Sequence, residues 1–458
     1  MADRTDRTMI EFYGGLGVIG GSKIMISTPN ARVLLDMGLD IPDGLDLFRE
    51  PVRRRCGGEL ADYLNTGQAP ELPGIYDPAQ LPVQGPRADR SEALAVGDPR
   101  PTAIFLSHPH IDHDGMLGFV RAELSCHAHP ETVELHRALA ISGLGPVGRP
   151  VTLQPTPPGT AITVGDIVVE PIEVDHDVPG ACGFLISTPD GRIGYTGDFN
   201  LHRNGGRRTS AFAERIRGVD ALITETTLLS FDPLPAEPIT EDEVLTVIGD
   251  RLAGPQLQLI SAYERDVERA QAIIDLARQR GRTMIWPGQQ ATFLGLLGVR
   301  DVVTWDDSRR QRKAHQIAVA NAIAAGTQPT TVGLAEVWDR PSDFLVQTDS
   351  ADLPSLLDLP ISVGTGWLHS QGEPLGPFMS TWQPFMDWLE HLGVEVVPAG
   401  SSGHAGPQAL IEMVKQIAPG TVYPIHGFRP ETAAHLLGAP QTEARTIVPA
   451  AGIRYPLR

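Results

Sequence analysis

The chain has 458 residues, 37 of them Lys or Arg and 56 Asp or Glu, for a formal charge of −19, and 41% are hydrophobic. That apolar content supports about three folded domains by length and excludes wholesale disorder. The acidic balance excludes holding nucleic acid by bulk charge, though not through a local basic groove or a metal-lined cleft. No apolar run approaches the roughly 18 residues of a membrane span. Met1–Thr8 is charged and lacks an apolar core, so no signal peptide is expected, and the three scattered cysteines, Cys56, Cys126 and Cys182, suit a reducing cytoplasm.

Met9–Tyr13 reads as a strand and runs into the glycine-rich stretch Gly14–Gly21. Gly15, Gly17 and Gly20 match G-x-G-x-x-G. A dinucleotide site needs a helix next, and two strand-like runs follow instead, Lys23–Thr28 and Arg32–Leu35, around a Pro29-Asn30 turn. The stretch Ile26–Arg32 has an echo in Ile186–Arg192, and each copy leads through a strand to an acidic residue near glycine, Asp36 before Gly38 and Asp198 after Gly197. This predicts two similar half-domains. Residues 39–100 are rich in Pro, Gly and charge and read as a long excursion, either a lid near a site or a surface insertion.

From Thr240 the texture changes. Thr240 and Glu243 form a capping box ahead of an apolar helical pattern, Leu257–Ile260 reads as a buried strand, Glu264–Arg280 as an amphipathic helix and Thr283–Trp286 as a strand. This βαβ texture implies a parallel sheet and continues to about residue 393. Val394–Val397, a helix over Pro407–Ile417 and the strand Val422–Ile425 read as a return to the first domain. The expected division is therefore 1–228, an insertion over 229–393, and a return segment over 394–458.

The strongest chemical signal is Ser107-His108-Pro109-His110-Ile111-Asp112-His113-Asp114-Gly115, directly after the apolar strand Ala103–Leu106. Imidazole nitrogens suit zinc and similar metals, and a carboxylate adds oxygen. Two acidic clusters also fall at strand ends, Asp175-His176-Asp177 and Gly197-Asp198-Phe199, as do two late histidines, Ser402-Gly403-His404-Ala405 and Pro424-Ile425-His426-Gly427. Cys126, His127 and His129 lack a second ligand pair, and His202 reads as a loop residue.

This constellation resembles the metallo-β-lactamase fold. Glu225 in Thr224-Glu225-Thr226-Thr227, His404 and His426 are similar to motifs A, B and C of the β-CASP nucleases, and within that group to bacterial ribonuclease J. Leu35-Asp36-Met37-Gly38, His176-Asp177-Val178-Pro179 and Ser370-Gln371-Gly372-Glu373-Pro374 extend the likeness. The resemblance implies an α/β fold: a metallo-β-lactamase αββα sandwich with an inserted, Rossmann-like β-CASP domain.

By the same resemblance, His108, His110 and His176 would hold one divalent metal, and Asp112, His113 and His426 a second, with Asp198 bridging. Zinc is the first choice and manganese the alternative. Asp36 would orient a ligand from behind. The implied reaction is hydrolysis of single-stranded RNA through a metal-bridging hydroxide, with His404 binding phosphate or protonating the leaving oxygen, Glu225 orienting it, and Ser402 and Gly403 offering amides to phosphate. Arg203, Arg207, Arg208, Arg265 and Lys313 are candidates for lining the cleft, each more ordinarily a solvated cation. Single-stranded DNA is the alternative polymer. No membrane partner is expected. Ribonuclease J carries a further C-terminal domain that helps assemble dimers, so a homodimer stays open. The competing readings are a hydrolase of a small ester, lactone or thioester on the same scaffold, and a scaffolding protein with a dead site.

Overall fold

The structure, a computed structural model, describes residues 7–40, 52, 55–84, 88–306, 326 and 329–457. Among these, three seven-stranded sheets form. The first orders Arg454–Pro456, Met9–Phe12, Ile24–Ser27, Arg32–Leu35, Thr102–Leu106, Ser125–Ala128 and Leu153–Pro155. In the second, Arg445–Thr446, Thr421–Ile425, Ala221–Glu225, Gly191–Tyr195, Cys182–Thr188, Ile167–Glu173 and Ile162–Val164 lie side by side.

Strand alternation explains why these two sheets stack. Ile10, Phe12, Ile24, Ile26, Val33, Leu35 and Phe105 face one way and meet Val169, Phe184, Ile186, Ile193, Tyr195 and Ile223 of the second sheet in a shared core. The intervening Met25, Leu34, Ile104 and Leu106 turn outward against Leu60, Tyr63, Tyr76 and Phe119. On the far side of the second sheet, Leu185, Leu222 and Val422 pack on Phe212, Leu410, Val414 and Ile417. The product is an αββα sandwich.

The internal echo is real in space. Ile24–Ser27 pairs antiparallel with Arg32–Leu35, and Cys182–Thr188 with Gly191–Tyr195. Each hairpin then pairs in parallel with the next strand, Thr102–Leu106 in one sheet and Ala221–Glu225 in the other. The acidic residues that end the hairpins, Asp36 and Asp198, thus arrive at the same edge of the sandwich.

The third sheet is wholly parallel, in the order Thr330–Val332, Val303–Trp305, Thr283–Trp286, Phe344–Gln347, Gln258–Ala262, Gly366–Ser370 and Glu395–Pro398. Apolar cores cover both its faces, as such a sheet requires. One expectation is corrected here. The strand near residues 394–397 does not open the return to the first domain, because Glu395–Pro398 pairs with Gly366–Ser370 in the third sheet. The chain crosses back only after residue 398.

The 39–100 excursion is also clarified. Its described part carries Leu60, Tyr63, Leu64, Leu72, Ile75 and Tyr76 into the core beneath the first sheet. That described part forms the outer helical layer there, and residues 41–51, 53–54 and 85–87 lie outside the described residues. No helix among the described residues is long and apolar enough to cross a membrane.

The capping box forms as read: the Thr240 hydroxyl accepts from the Glu243 amide at 3.4 Å, and Glu243 accepts from the Thr240 amide at 2.7 Å. Replacing Thr240 with Ala should cost about 1 kcal/mol, read as faster hydrogen exchange in the first turn of Glu241–Leu252.

Candidate functional site

The first-sheet strand Thr102–Leu106 ends at Ser107, and the chain turns into a single helical turn, Ile111–Asp114. That sharp turn aims His108, Asp112 and His113 inward, all at most 5% exposed. Its tightness explains two glycines. A Cβ at Gly38 would sit 1.6 Å from the Asp112 carbonyl oxygen, and one at Gly20 would sit 2.4 Å from Asp112 Cβ.

Asp36 organises this corner. Fully buried, at φ 59°, it accepts from the Ser107 amide at 2.7 Å, the Ser107 hydroxyl at 2.8 Å and the Tyr195 hydroxyl at 2.5 Å. It also faces His113 Nδ1 at 2.8 Å. That contact assigns the Nδ1 proton to the Asp36 side and turns His113 Nε2 toward the second sheet. There Nε2 lies 3.2 Å from Asp198 and 3.3 Å from His426 Nε2. His426, at φ 57°, also approaches Asp112 at 3.0 Å and Asp198 at 3.3 Å, while its Nδ1 meets Thr227 Oγ1 at 2.9 Å.

A second grouping adjoins the first. His176 Nδ1 donates to the Gly403 carbonyl at 2.7 Å, leaving Nε2 to face His110 Nδ1 at 3.4 Å. His108 Nε2 lies 3.7 Å from Asp198. One ligand atom from each of His108, His110, His176 and Asp198 fits within 4.8 Å of the others, and so does one from each of Asp112, His113, Asp198 and His426. Asp198 belongs to both sets.

The electrostatics need a cation. Burial works against charge on Asp112 and Asp198, yet the surrounding histidines outweigh it and hold both carboxyls below the usual range. Burial, reinforced by the other imidazoles, pushes His108 well down, and burial takes His176 to about 4. Both are therefore neutral imidazoles, the form that binds metal. Nε2 of His108 and of His110 and both oxygens of Asp198 are buried without a hydrogen-bond partner. Such atoms cost roughly 1–3 kcal/mol each if left alone. The donor set fits a divalent cation, which would satisfy them together.

His404 stands beside these groupings. Its Nδ1 is 3.5 Å from Glu225 and 3.8 Å from Asp198. Burial would lower its pKa, but Glu225 and Asp198 prevail and it is pushed up to about 9. Glu225 is pinned by the amides of Thr227 at 2.8 Å and Ala405 at 3.2 Å.

A profile for the Beta-lactamase superfamily domain matches residues 76–247. Over 345 residues, the chain is 23% identical to the Ribonuclease J of Methanocaldococcus jannaschii, covering 71% of this chain and 75% of that protein. The chain carries a metallo-β-lactamase superfamily domain and resembles ribonucleases J. It is also 27% identical to Ribonuclease J 2 of Streptococcus pyogenes over 196 residues, and 23% identical to the Ribonuclease J of Pyrococcus abyssi over 244. Those alignments cover 41% and 49% of this chain but only 35% and 53% of the two relatives. A crystal structure of a protein of unknown function from Enterococcus faecalis V583 superposes with a TM-score of 0.76 at 26% identity, over 98% of this chain and 100% of that one.

In this ribonuclease J-like chain, the residues singled out by motif converge on one place. Ser402 and Gly403 line the cleft above them, but the observed part played by Gly403 is its carbonyl, which orients His176 and accepts from Asn200 at 3.1 Å. The next helix, Pro407–Ile417, starts too late for its N-terminus to serve position 403. A Cβ at 403 would sit 2.5 Å from Asp177, so glycine is required there.

Sequence reasoning left Asp177 and Thr227 without roles. Asp177 lies 3.2 Å from His110 Nε2 and 3.3 Å from His176 Nε2. Thr227 Oγ1 sits between His404 and His426. Adjacency to His176 and to Glu225 was their only signal. His202, read as an ordinary loop residue, donates to the Ser402 carbonyl at 2.8 Å. Arg203 and Arg265 are buried in pairings away from the cleft lining, Arg207 and Arg208 are exposed, and Lys313 lies outside the described residues. Cys126, His127 and His129 contribute to no candidate metal group among the described residues.

Replacing Asp36 with Asn exchanges an acceptor for an amide opposite His113 Nδ1. Metal affinity should fall roughly 10–100-fold in chelator competition, with the far-ultraviolet circular dichroism unchanged.

Proposed function

We propose that this protein is a metal-dependent phosphodiester hydrolase, a ribonuclease acting on single-stranded RNA. The observation that carries the reading is two buried His/Asp ligand sets sharing Asp198, with His404 and Glu225 beside them at the cleft wall. The similarity to ribonucleases J supports RNA as substrate. His108, His110 and His176 would hold one divalent cation, and Asp112, His113 and His426 the other, with Asp198 shared. Zinc is preferred for so many imidazoles, with manganese the alternative. When bound, such cations supply positive charge to phosphate oxygens and make water acidic near neutral pH.

The chain's own residues do the rest. Asp36, the Gly403 carbonyl and Thr227 aim His113, His176 and His426 from behind. His404, held by Glu225, would give a proton to the leaving oxygen. The cleft, about 430 Å³, is walled on its far side by His369, Gln371 and Phe378, so a strand would lie between the two domains.

One observation favours the second reading, a hydrolase of a small ester, lactone or thioester. Among the described residues that line the cleft there is no Lys or Arg, and Leu228, Phe231, Leu375, Phe378, Met379 and Phe428 make much of its wall. Bases stacked on such rings, with phosphate on the cations, reconcile this wall with RNA.

The test is cleavage of a 5′-labelled single-stranded RNA by protein loaded separately with zinc and manganese. Single-stranded DNA and a small lactone or thioester run in parallel, and protein carrying Asp112→Ala with His113→Ala is the blank. RNA cleaved only by intact protein is the expected result. Intact RNA with turnover of the small substrate would transfer the assignment to the second reading. His404→Ala should lower kcat by roughly 10²–10⁴-fold while leaving bound metal unchanged.

A further inference from the structure

One short segment of the inserted domain touches three of the loops that carry the candidate site. It runs from Tyr263 to Arg269, joining the strand Gln258–Ala262 to the helix Val267–Gln279. The Tyr263 ring packs edge-on against His110, centroids 5.3 Å apart. Arg265 donates to the carbonyl of Pro109, between His108 and His110, and to that of Leu144 at 3.3 Å. Asp266 accepts from Arg203, in the loop that follows Asp198, at 3.1 Å. Arg269 donates to the Ser401 carbonyl, three residues before His404, at 3.2 Å and to Gln371 at 2.8 Å. Glu241 closes the network, 2.7 Å from Arg269 and 2.9 Å from Arg203.

Stability alone does not explain this choice of residues. Arg203, Arg265, Asp266 and Arg269 are all at most 8% exposed. Burying each ion costs several kcal/mol, and a well-packed apolar contact commonly does as well or better. What a guanidinium provides is direction, because its planar fork fixes two or more acceptors at once. Here Arg265 reaches the Pro109 carbonyl, and Arg269, held by a two-pronged pairing with Glu241, also reaches the Ser401 carbonyl.

We infer that Tyr263–Arg269 is a positioning clamp, through which the inserted domain sets the His108–His110 turn and the His404 loop. Arg265 and Arg269 are positioning residues: neither is a candidate ligand, and each acts through a loop carbonyl. The two arms have separable consequences. Arg265 governs the turn bearing two ligands, and this arm rests on the metal reading given above. Arg269 governs the loop bearing His404, and its effect stands without that reading.

The experiment uses the full chain with Arg265→Met and Arg269→Met, plus Arg265→Lys and Arg269→Lys in case the apolar variants fold poorly. Zinc retention is read against a chromogenic chelator, and amide exchange is read over residues 400–405. Arg265→Met should weaken zinc retention roughly 10–100-fold. Arg269→Met should speed exchange over 400–405 by at least about tenfold, with the strands of the third sheet unaffected, and should weaken retention less than Arg265→Met does, through the Gly403 carbonyl behind His176. On any substrate the chain turns over, Arg269→Met should lower kcat with KM unchanged. The lysine variants, which keep the charge but lose the fork, should show the same pattern in smaller measure. Unchanged retention and unchanged exchange would overturn the clamp, as would a uniform loss of retention, exchange protection and melting temperature in both variants. Wild-type protein that retains no zinc would refute the metal reading, and the exchange measurement would still decide the Arg269 arm.

Discussion

Everything at the edge of the sandwich follows from taking imidazole nitrogens and carboxylate oxygens out of water together. His113 Nε2 and His426 Nε2 stand 3.3 Å apart, and Asp198 reaches both while its own oxygens lack a hydrogen-bond partner. Lone pairs that close repel unless positive charge sits among them. Protons answer the need in part, which is why His113 is drawn well above its ordinary pKa by Asp198, Asp112 and Asp36 against the effect of burial. A divalent cation answers it more fully, and for every donor at once.

Such a cluster does not hold its shape by attraction among its members. It is shaped from behind. Asp36 gathers Ser107, Tyr195 and His113, and it does so from a left-handed backbone position that non-glycine residues seldom adopt. His426 is held in the same unusual conformation by its own amide on the Gly15 carbonyl at 2.8 Å. Gly20, Gly38 and Gly403 let backbone and side chains approach to distances a Cβ forbids. The strain and the glycines are both consequences of crowding several loop ends around one point.

The same reasoning tells what was legible in the sequence. A metal site drawn from strand ends leaves its residues in short, dense motifs, so His108 to His113, Asp198, His404 and His426 stood out. The repeated Ile-Ser-Thr-Pro hairpin announced two similar half-domains, whereas their stacking was legible only through the family resemblance, since strands buried on both faces carry no alternation. Residues 39–100 hid their role because Leu60, Tyr63, Leu72 and Tyr76 are dispersed among proline, glycine and charge, with no period to betray the face they cover. Glu395–Pro398 was assigned to the wrong side of a crossing because a short edge strand has no signature of the sheet it joins. Arg203, Glu241, Asp266 and Arg269 look like any surface charges in sequence, and only the fold makes them neighbours.

That last group bears on why an inserted domain accompanies this site at all. A cleft wall alone could be supplied by a loop. The ionic bridge instead joins the domain's first helices to the loops of Asp198 and His404 through buried, directional contacts. Buried charge networks tolerate little misplacement, since a shift that breaks one contact strands an ion in a medium of low polarity. The domain can therefore occupy few positions relative to the sandwich, and each position dictates where His404 stands over Asp198. Access to the cleft and the placement of His404 are thus set by one and the same packing arrangement.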